Sequence, residues 1–347
     1  MKRSARHLQW RLVTITLGAL LGACAGGPSA PGGGAGTDVT SGAAGMTGAA
    51  GGPSEAGVGG GAGVAGTAGA GGVSGGDTGT GGGSVAGTTG AGGYIDADAP
   101  AADAAGSNKI LIYGVTTGYR HASIPAAANA IAKAAAAVGL TTEQVGCTDA
   151  NNNKADPTKF TAAALAQYGG VILLANSGEP IGYPATQEIQ NLVDYVQHGG
   201  ALVAIEDATH CYDGSFNGHP ASQPYIQLLG ADFVAHPGNV SPATCTKVGT
   251  QPSVVQLPAT FGTTDEIYSF SQFRMDNQVV LRCVSSGDST HTVRPVSWVR
   301  EEGAGRYFYT ALGHLDVSWT APMDAQASNS RLVEDHVIPG LLWTMRR

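Results

Sequence analysis

From residue 25 to about 106 the chain is Gly, Ala, Ser and Thr with scattered Pro and few large apolar groups. Such a stretch cannot bury enough surface to offset the entropy lost on ordering, so it predicts a disordered tether over 24–106 and confines any core to residues 107–347. Most of the 54 glycines lie in it, in recurring Gly-Ala-Gly-Gly fragments. A flexible coil of this length spans roughly 50 Å root-mean-square. Gly60-Gly61-Ala62-Gly63 imitates a nucleotide fingerprint but follows no strand and opens no helix, and no cofactor is expected. Asp96, Asp98 and Asp103 lack the spacing and the glycine of a calcium loop and read as a solvated acidic linker.

Ahead of the tether, Lys2, Arg3, Arg6, His7 and Arg11 form a basic region and Leu12 to Leu21 an apolar one too short to span a bilayer, which predicts a signal peptide over 1–23. Leu21-Gly22-Ala23-Cys24 resembles the bacterial lipobox. That resemblance implies that Cys24 becomes the lipidated N-terminus and that the lipid ties an exported protein to the cell envelope; Ala25 fits transfer to an outer membrane in a diderm cell. An ordinary secretory signal is the alternative. With a net charge of −8, 13% charged residues and no further Lys/Arg run, nucleic acid is excluded as a partner. No oligomeric state is indicated.

Within 107–347, short apolar runs alternate with helical patterns. Lys109–Val115 reads as a first buried strand. Ile124, Ala128, Ile131, Ala135 and Val138 recur at helical spacing, with Ser123 as the expected N-cap and Pro125 in the first turn. A short strand at Thr141–Val145, a helical stretch from Phe160 to Leu165 and a strand at Gly170–Ala175 follow. Pro184 is expected early in a helix whose stripe is Ile189, Leu192, Val193 and Val196; Gly199-Gly200 ends it and opens the next apolar run, which stops at Glu206-Asp207. This rhythm predicts an α/β fold with a mainly parallel sheet and helices on both faces. In such sheets ligands bind at the carboxyl ends of the strands, where these acids emerge. Beyond residue 210 the pattern shifts to a helix at Ala221–Leu229 and strands at Asp232–Ala235, Ser253–Leu257, Val279–Val284, Pro295–Arg300 and Arg306–Leu312, an antiparallel extension of the same domain. A last helix from Arg331 should kink or break at Pro339-Gly340.

Cys147, Cys211, Cys245 and Cys283 permit two disulfides in an exported domain, and Cys211 with Cys245 is the favoured pair. The alternative use, a metal set from His210, Cys211 and His219, matches no compact zinc spacing, and no metal is expected.

Polar groups gather where strands end: Arg120 and His121 after the first, Ser177 and Glu179 after the third, Glu206 and Asp207 after the fourth, then His236, Asp265-Glu266, Trp298 and His314. Drawn into one cleft, His and Glu can act as acid and base. In order, Tyr119-Arg120-His121, Asn176-Ser177-Gly178, the Gly199 strand, Leu229-Gly230 to His236-Pro237, Asp265-Glu266-Ile267-Tyr268, Pro295-Val296-Ser297-Trp298 and Gly305 to His314 resemble the ThuA-like trehalose-utilisation family, related in fold to class I glutamine amidotransferases. The resemblance implies a flavodoxin-like, amidotransferase-like α/β fold and a role around disaccharides and keto-sugars. It also places Glu206 where amidotransferase relatives carry a nucleophilic Cys and ThuA-like proteins usually carry His, which argues against glutaminase chemistry. A second departure is Gln251-Pro252 in place of the family's His-Pro.

The expected function is therefore acid/base chemistry on a small carbohydrate or keto-sugar, with catalytic His121, Glu206, Glu266 and His314. Arg120, Ser177, His236, Tyr268 and Trp298 are the expected substrate-binding residues. A non-catalytic carbohydrate- or protein-binding domain with a degenerate site is the alternative.

Overall fold

A computed structural model describes residues 106–148, 153–323 and 331–347. The expected signal peptide, Cys24 and nearly all of the expected tether lie outside the described residues.

The chain enters as β1 (Lys109–Tyr113), crosses through α1 (Ile124–Ala137) to β2 (Thr141–Val145), and reaches β3 (Gly170–Leu174) by way of a 3-10 turn (Pro157–Phe160) and α2 (Ala162–Leu165). α3 (Thr186–Gln197) leads to β4 (Ala201–Ile205), which runs into a 3-10 turn at Glu206–Thr209. Then come α4 (Gln223–Leu229), β5 (Asp232–Ala235), β6 (Val240–Lys247), α5 (Pro252–Val255), β7 (Thr260–Glu266), β8 (Ser269–Ser271), β9 (Gln278–Ser285), β10 (Arg294–Glu302), β11 (Gly305–Thr310) and α6 (Val317–Thr320). A π-helical segment, Val333–Val337, passes into α7 (Ile338–Thr344).

Nine strands make one sheet in the order β2-β1-β3-β4-β11-β10-β9-β6-β7, while β5 pairs with β8 separately. From β2 to β11 the pairings are parallel. From β11 onward they are antiparallel. The order of the parallel half is that of a flavodoxin-like sheet. The antiparallel extension is thus real and as wide as the parallel part. β3 and β4 are buried at every position, which requires cover on both faces. At about 1.5–3 kcal/mol for each large aliphatic side chain, these short strands carry much of the stabilising burial.

Several expectations need correction. Ser123 stands at the start of α1 but is itself helical and its side chain makes no capping bond. Pro184 lies before α3, whose N-cap is Ala185 in a left-handed conformation. Ser253–Leu257 is not a strand: Pro252–Val255 is a helical turn, with Pro in the first-turn position that suits it. β6 and β7 were not anticipated. The break near Pro339 takes the form of the π segment ahead of α7, as expected for a residue that cannot complete the helical ladder. The disulfide joins Cys245 to Cys283, not to Cys211. Those two face each other on neighbouring strands β6 and β9, whereas Cys147 and Cys211 are free and buried.

Candidate active site

Glu206 is the first residue past β4, and the chain must turn sharply there. Its φ of 58° lies in the left-handed region, a conformation that costs a residue with a Cβ about 1–2 kcal/mol. Tyr309 of β11 pins the turn by donating its hydroxyl to the Glu206 carbonyl at 2.7 Å. The side chain of Glu206 is fully buried. An ion there persists only if fully paired, and it is. Oε1 accepts from the Tyr268 hydroxyl and lies 3.1 Å from His121 Nε2 and 3.3 Å from His314 Nδ1. Oε2 accepts the Asp207 backbone N–H at 2.5 Å.

The partners come from both halves of the sheet. His121 closes the loop after β1, with its ring edge-on to Tyr119 at 4.7 Å and to His314 at 4.8 Å. His314 follows β11 through Gly313, whose φ of 126° only glycine holds easily and where a Cβ would strike the Trp319 ring. Asp265, near the end of β7, accepts the backbone N–H groups of Gly313 at 2.9 Å and His314 at 3.2 Å. Its neighbour Glu266 reaches His314 Nδ1 at 3.2 Å. The far antiparallel edge therefore clamps the exit of the central strand and adds a second carboxylate.

Burial works against ionisation of Glu206, but the hydrogen bonds of His121 and His314, the electrostatic pull of His121 and the Tyr268 hydroxyl outweigh it and hold the carboxyl at about 2. Hydrogen bonds to Glu206 and Glu266 raise His314 to about 10 against its desolvation. Burial pushes Asp265 up to about 7, despite the N–H groups that favour its anion. Asp207 is likewise pushed up to about 6 by burial, with the hydrogen bond from His210 opposing and the Glu206 charge adding to it. Tyr268 is driven well above the usual phenol range, first by burial and then by the charges of Glu206 and Asp207.

All four residues expected to be catalytic are thus brought together. Of the expected binding residues, Tyr268 touches Glu206 directly and His236 stands 3.7 Å from Glu266 Oε1 at the edge of the cluster. Ser177 is buried beneath the loop after β1, where its carbonyl accepts from Thr117 and Gly118. A Cβ on Gly118 would sit 2.6 Å from the Ser177 hydroxyl and from the Phe216 ring, so these loops interlock only because that residue is glycine. Arg120 does not face the cluster: its guanidinium donates to the carbonyls of Gly114 and Gly146 and to Asn153. Trp298 is core, stacked on Tyr309 and donating to the Leu229 carbonyl.

The set His210, Cys211 and His219 does not converge. His210 lies between Asp207 at 3.2 Å and Asp213 at 3.5 Å, His219 meets Glu179 at 2.5 Å, and Cys211 is buried. Among the described residues, His121, Glu206, Glu266 and His314 are the one group of three or more His, Cys, Asp or Glu able to hold a metal ion, with ligand atoms all within 4.8 Å. A donor set is therefore present where none was expected. Sequence reasoning also passed over Asp265 and Tyr309 as site residues, although both stand in the motifs that carried the resemblance.

The ThuA family, described as trehalose utilisation, matches residues 109–344. The chain belongs to the ThuA family. Solved structures similar to it include a ThuA-like protein from Bacteroides uniformis ATCC 8492, with 17% identity over 69% of this chain and 91% of that one and a TM-score of 0.48. Another, from Parabacteroides merdae ATCC 43184, has 15% identity over 68% and 89% of the two chains, also at 0.48. No curated protein matches the chain. Family membership ties this ThuA domain to a carbohydrate-related role. In it the elbow, the sharp turn after β4, carries Glu206, a carboxylate already engaged by a phenol and two imidazoles.

Proposed function

We propose that the ThuA domain is an enzyme acting on a disaccharide or keto-sugar, with the cluster around Glu206 as its reaction centre. The observation that supports this reading is the convergence of two imidazoles and two carboxylates at the carboxyl edge of a parallel sheet, where such folds bind their ligands. The four are unequal in access. The His121 and Glu206 side chains are 3% and 0% exposed, whereas His314 and Glu266 are 16% and 11% exposed. The inner pair is closed off from solvent; the outer pair meets the sugar and exchanges protons with its oxygens, and His236 stands beside it. Double replacement of His121 and Glu266 by Ala should lower turnover of the responsive substrate in a panel of disaccharides and keto-sugars by at least about 100-fold. Unchanged turnover would sink the assignment.

A second reading, a carbohydrate- or protein-binding domain without turnover, is favoured by the saturation of Glu206, which leaves the elbow without a free nucleophile. A sugar-binding assay run beside a product screen separates the two, since tight binding with no product from any ligand selects it. We also infer, from the Leu21-Gly22-Ala23-Cys24 sequence, that the domain is displayed from a membrane by a lipid on Cys24. The Cys24→Ser variant should then leave the membrane fraction, and the N-terminal peptide of the mature parent should carry an acylated cysteine by mass.

A further inference from the structure

We propose that His121, Glu206, Glu266 and His314 bind one first-row divalent cation of the zinc type. The spacing is the first argument. His121 Nε2 and His314 Nδ1 lie 3.1 and 3.3 Å from the same oxygen of Glu206, and His314 Nδ1 lies 3.2 Å from Glu266. An ion with bonds of about 2.0–2.2 Å holds tetrahedral neighbours roughly 3.3–3.5 Å apart. The widest separation among the four ligand atoms, 4.8 Å, involves more room than an ion needs, and the partly exposed Glu266 can close it by side-chain rotation.

The second argument is the crowding at one atom. Glu206 Oε1 faces Tyr268, His121 and His314 at once, one neighbour more than its two lone pairs accommodate as hydrogen bonds. A cation resolves this by taking the two imidazole nitrogens and the carboxylate as ligands, leaving Tyr268 as the single donor to Oε1. The surroundings are those a ligand set needs. Tyr268 and the Asp207 N–H orient the Glu206 carboxylate, and Asp265 fixes the backbone that carries His314. His121 is nine-tenths buried and packs edge-on against the exposed Tyr119 ring, while its Nδ1 has no hydrogen-bond partner among the described residues.

The donor set also selects the ion. Two imidazoles disfavour magnesium and calcium, which take oxygen ligands, and the absence of thiolate among the four disfavours soft ions; zinc and its first-row neighbours remain. Because His314 and Glu266 are the accessible pair, the ion keeps one open side, where a sugar hydroxyl or carbonyl oxygen, or a water, completes its coordination and is polarised. This inference rests on the reading of the cluster as a reaction centre, and it makes His314 a ligand in place of a proton carrier.

The test is zinc binding by the full-length chain after chelator treatment, followed by calorimetry and by the visible absorption of the cobalt-substituted protein. One ion per chain is expected, with affinity lowered at least about 100-fold in Glu206→Gln and in His314→Ala, and by about tenfold in Tyr268→Phe. Glu266→Gln, at a partly exposed position that leaves the fold intact by circular dichroism, should also weaken binding and change the cobalt spectrum. His219→Ala, at the separate Glu179 pair, should change neither. Absence of stoichiometric binding, or binding indifferent to Glu266→Gln and His314→Ala, would overturn the proposal. Metal-free protein with full turnover would overturn it too while leaving the reaction centre standing. Loaded protein that binds zinc through these residues but turns over no sugar would confirm the cation and discard the enzyme reading.

Discussion

Glu206 combines two costs that proteins rarely accept together, a left-handed backbone and a fully buried carboxylate. The surrounding donors make both tolerable. Removing the Tyr268 hydroxyl withdraws a hydrogen bond to a charged group, so Tyr268→Phe should lower stability by about 1.5–3 kcal/mol in urea unfolding. In a Glu206→Gln background the same change should cost clearly less, and the difference is the coupling of the pair. The position of Glu206 at the end of β4 was legible because that strand is a continuous apolar run ending in the two acids. His121, Glu266 and His314 were legible only through the motifs that contain them, since His121 and His314 sit on loops beyond β1 and β11 and Glu266 ends the antiparallel strand β7. Arg120 and Trp298 were misjudged for a shared reason. Arg120 adjoins His121 on a loop, where consecutive side chains diverge, and Trp298 lies on a strand, where a one-residue step changes the face. Proximity in sequence to a motif does not say which side of the backbone a group serves.

The strands of the parallel half announced themselves as continuous apolar runs, whereas β6 and β7 did not. β6 buries Ser241, Ala243 and Cys245 on alternate positions, and β7 buries Phe261, Thr263 and Asp265. The alternation is present, but apart from Phe261 small and polar residues occupy the inward face, so no hydrophobic period of two appears. Conversely, the Val254-Val255 pair suggested a strand, and a four-residue apolar segment is equally compatible with the helical turn it forms. The same alternation explains the disulfide. Cys245 and Cys283 are opposed across β6 and β9 and close a loop with a separation of 38 residues. Loop-closure entropy then gives a stabilisation of about 4 kcal/mol. The Cys245→Ala/Cys283→Ala variant, or the parent under reductant, should unfold at correspondingly lower urea in oxidant-free buffer. Cys211→Ala should keep the parent's response to reductant, since its thiol is free.

For the domain as a unit, acid should act through groups far from the cluster as well as through Glu206. His336 is fully buried against Phe308 and the Ser253 carbonyl, and burial lowers it from 6.5 to about 4. Between those values the unfolded chain binds a proton that the fold excludes. Stability therefore falls as pH drops from 6.5 to 4, by on the order of 3 kcal/mol from this group. His336→Leu should show a shallower decline over that window, measured as the parent-minus-variant difference in urea midpoint. Glu143 acts lower down. Hydrogen bonds from Lys109 and Lys159 hold it at about 2, so its contribution is complete above 4.5 and is lost as pH falls toward 2. Glu143→Gln should shrink that lower limb, to which Glu206 also contributes, and leave the His336 limb in place.

β11, the last strand among the described residues, lies between β4 and β10 in the middle of the sheet. During synthesis the strands on either side of it exist before the strand that joins them, and their facing edges wait unpaired until residue 310 emerges. The domain therefore cannot be assembled piecewise from its N-terminus. Until its C-terminal segment arrives, the chain carries two open sheet edges, the form most prone to pairing with another copy.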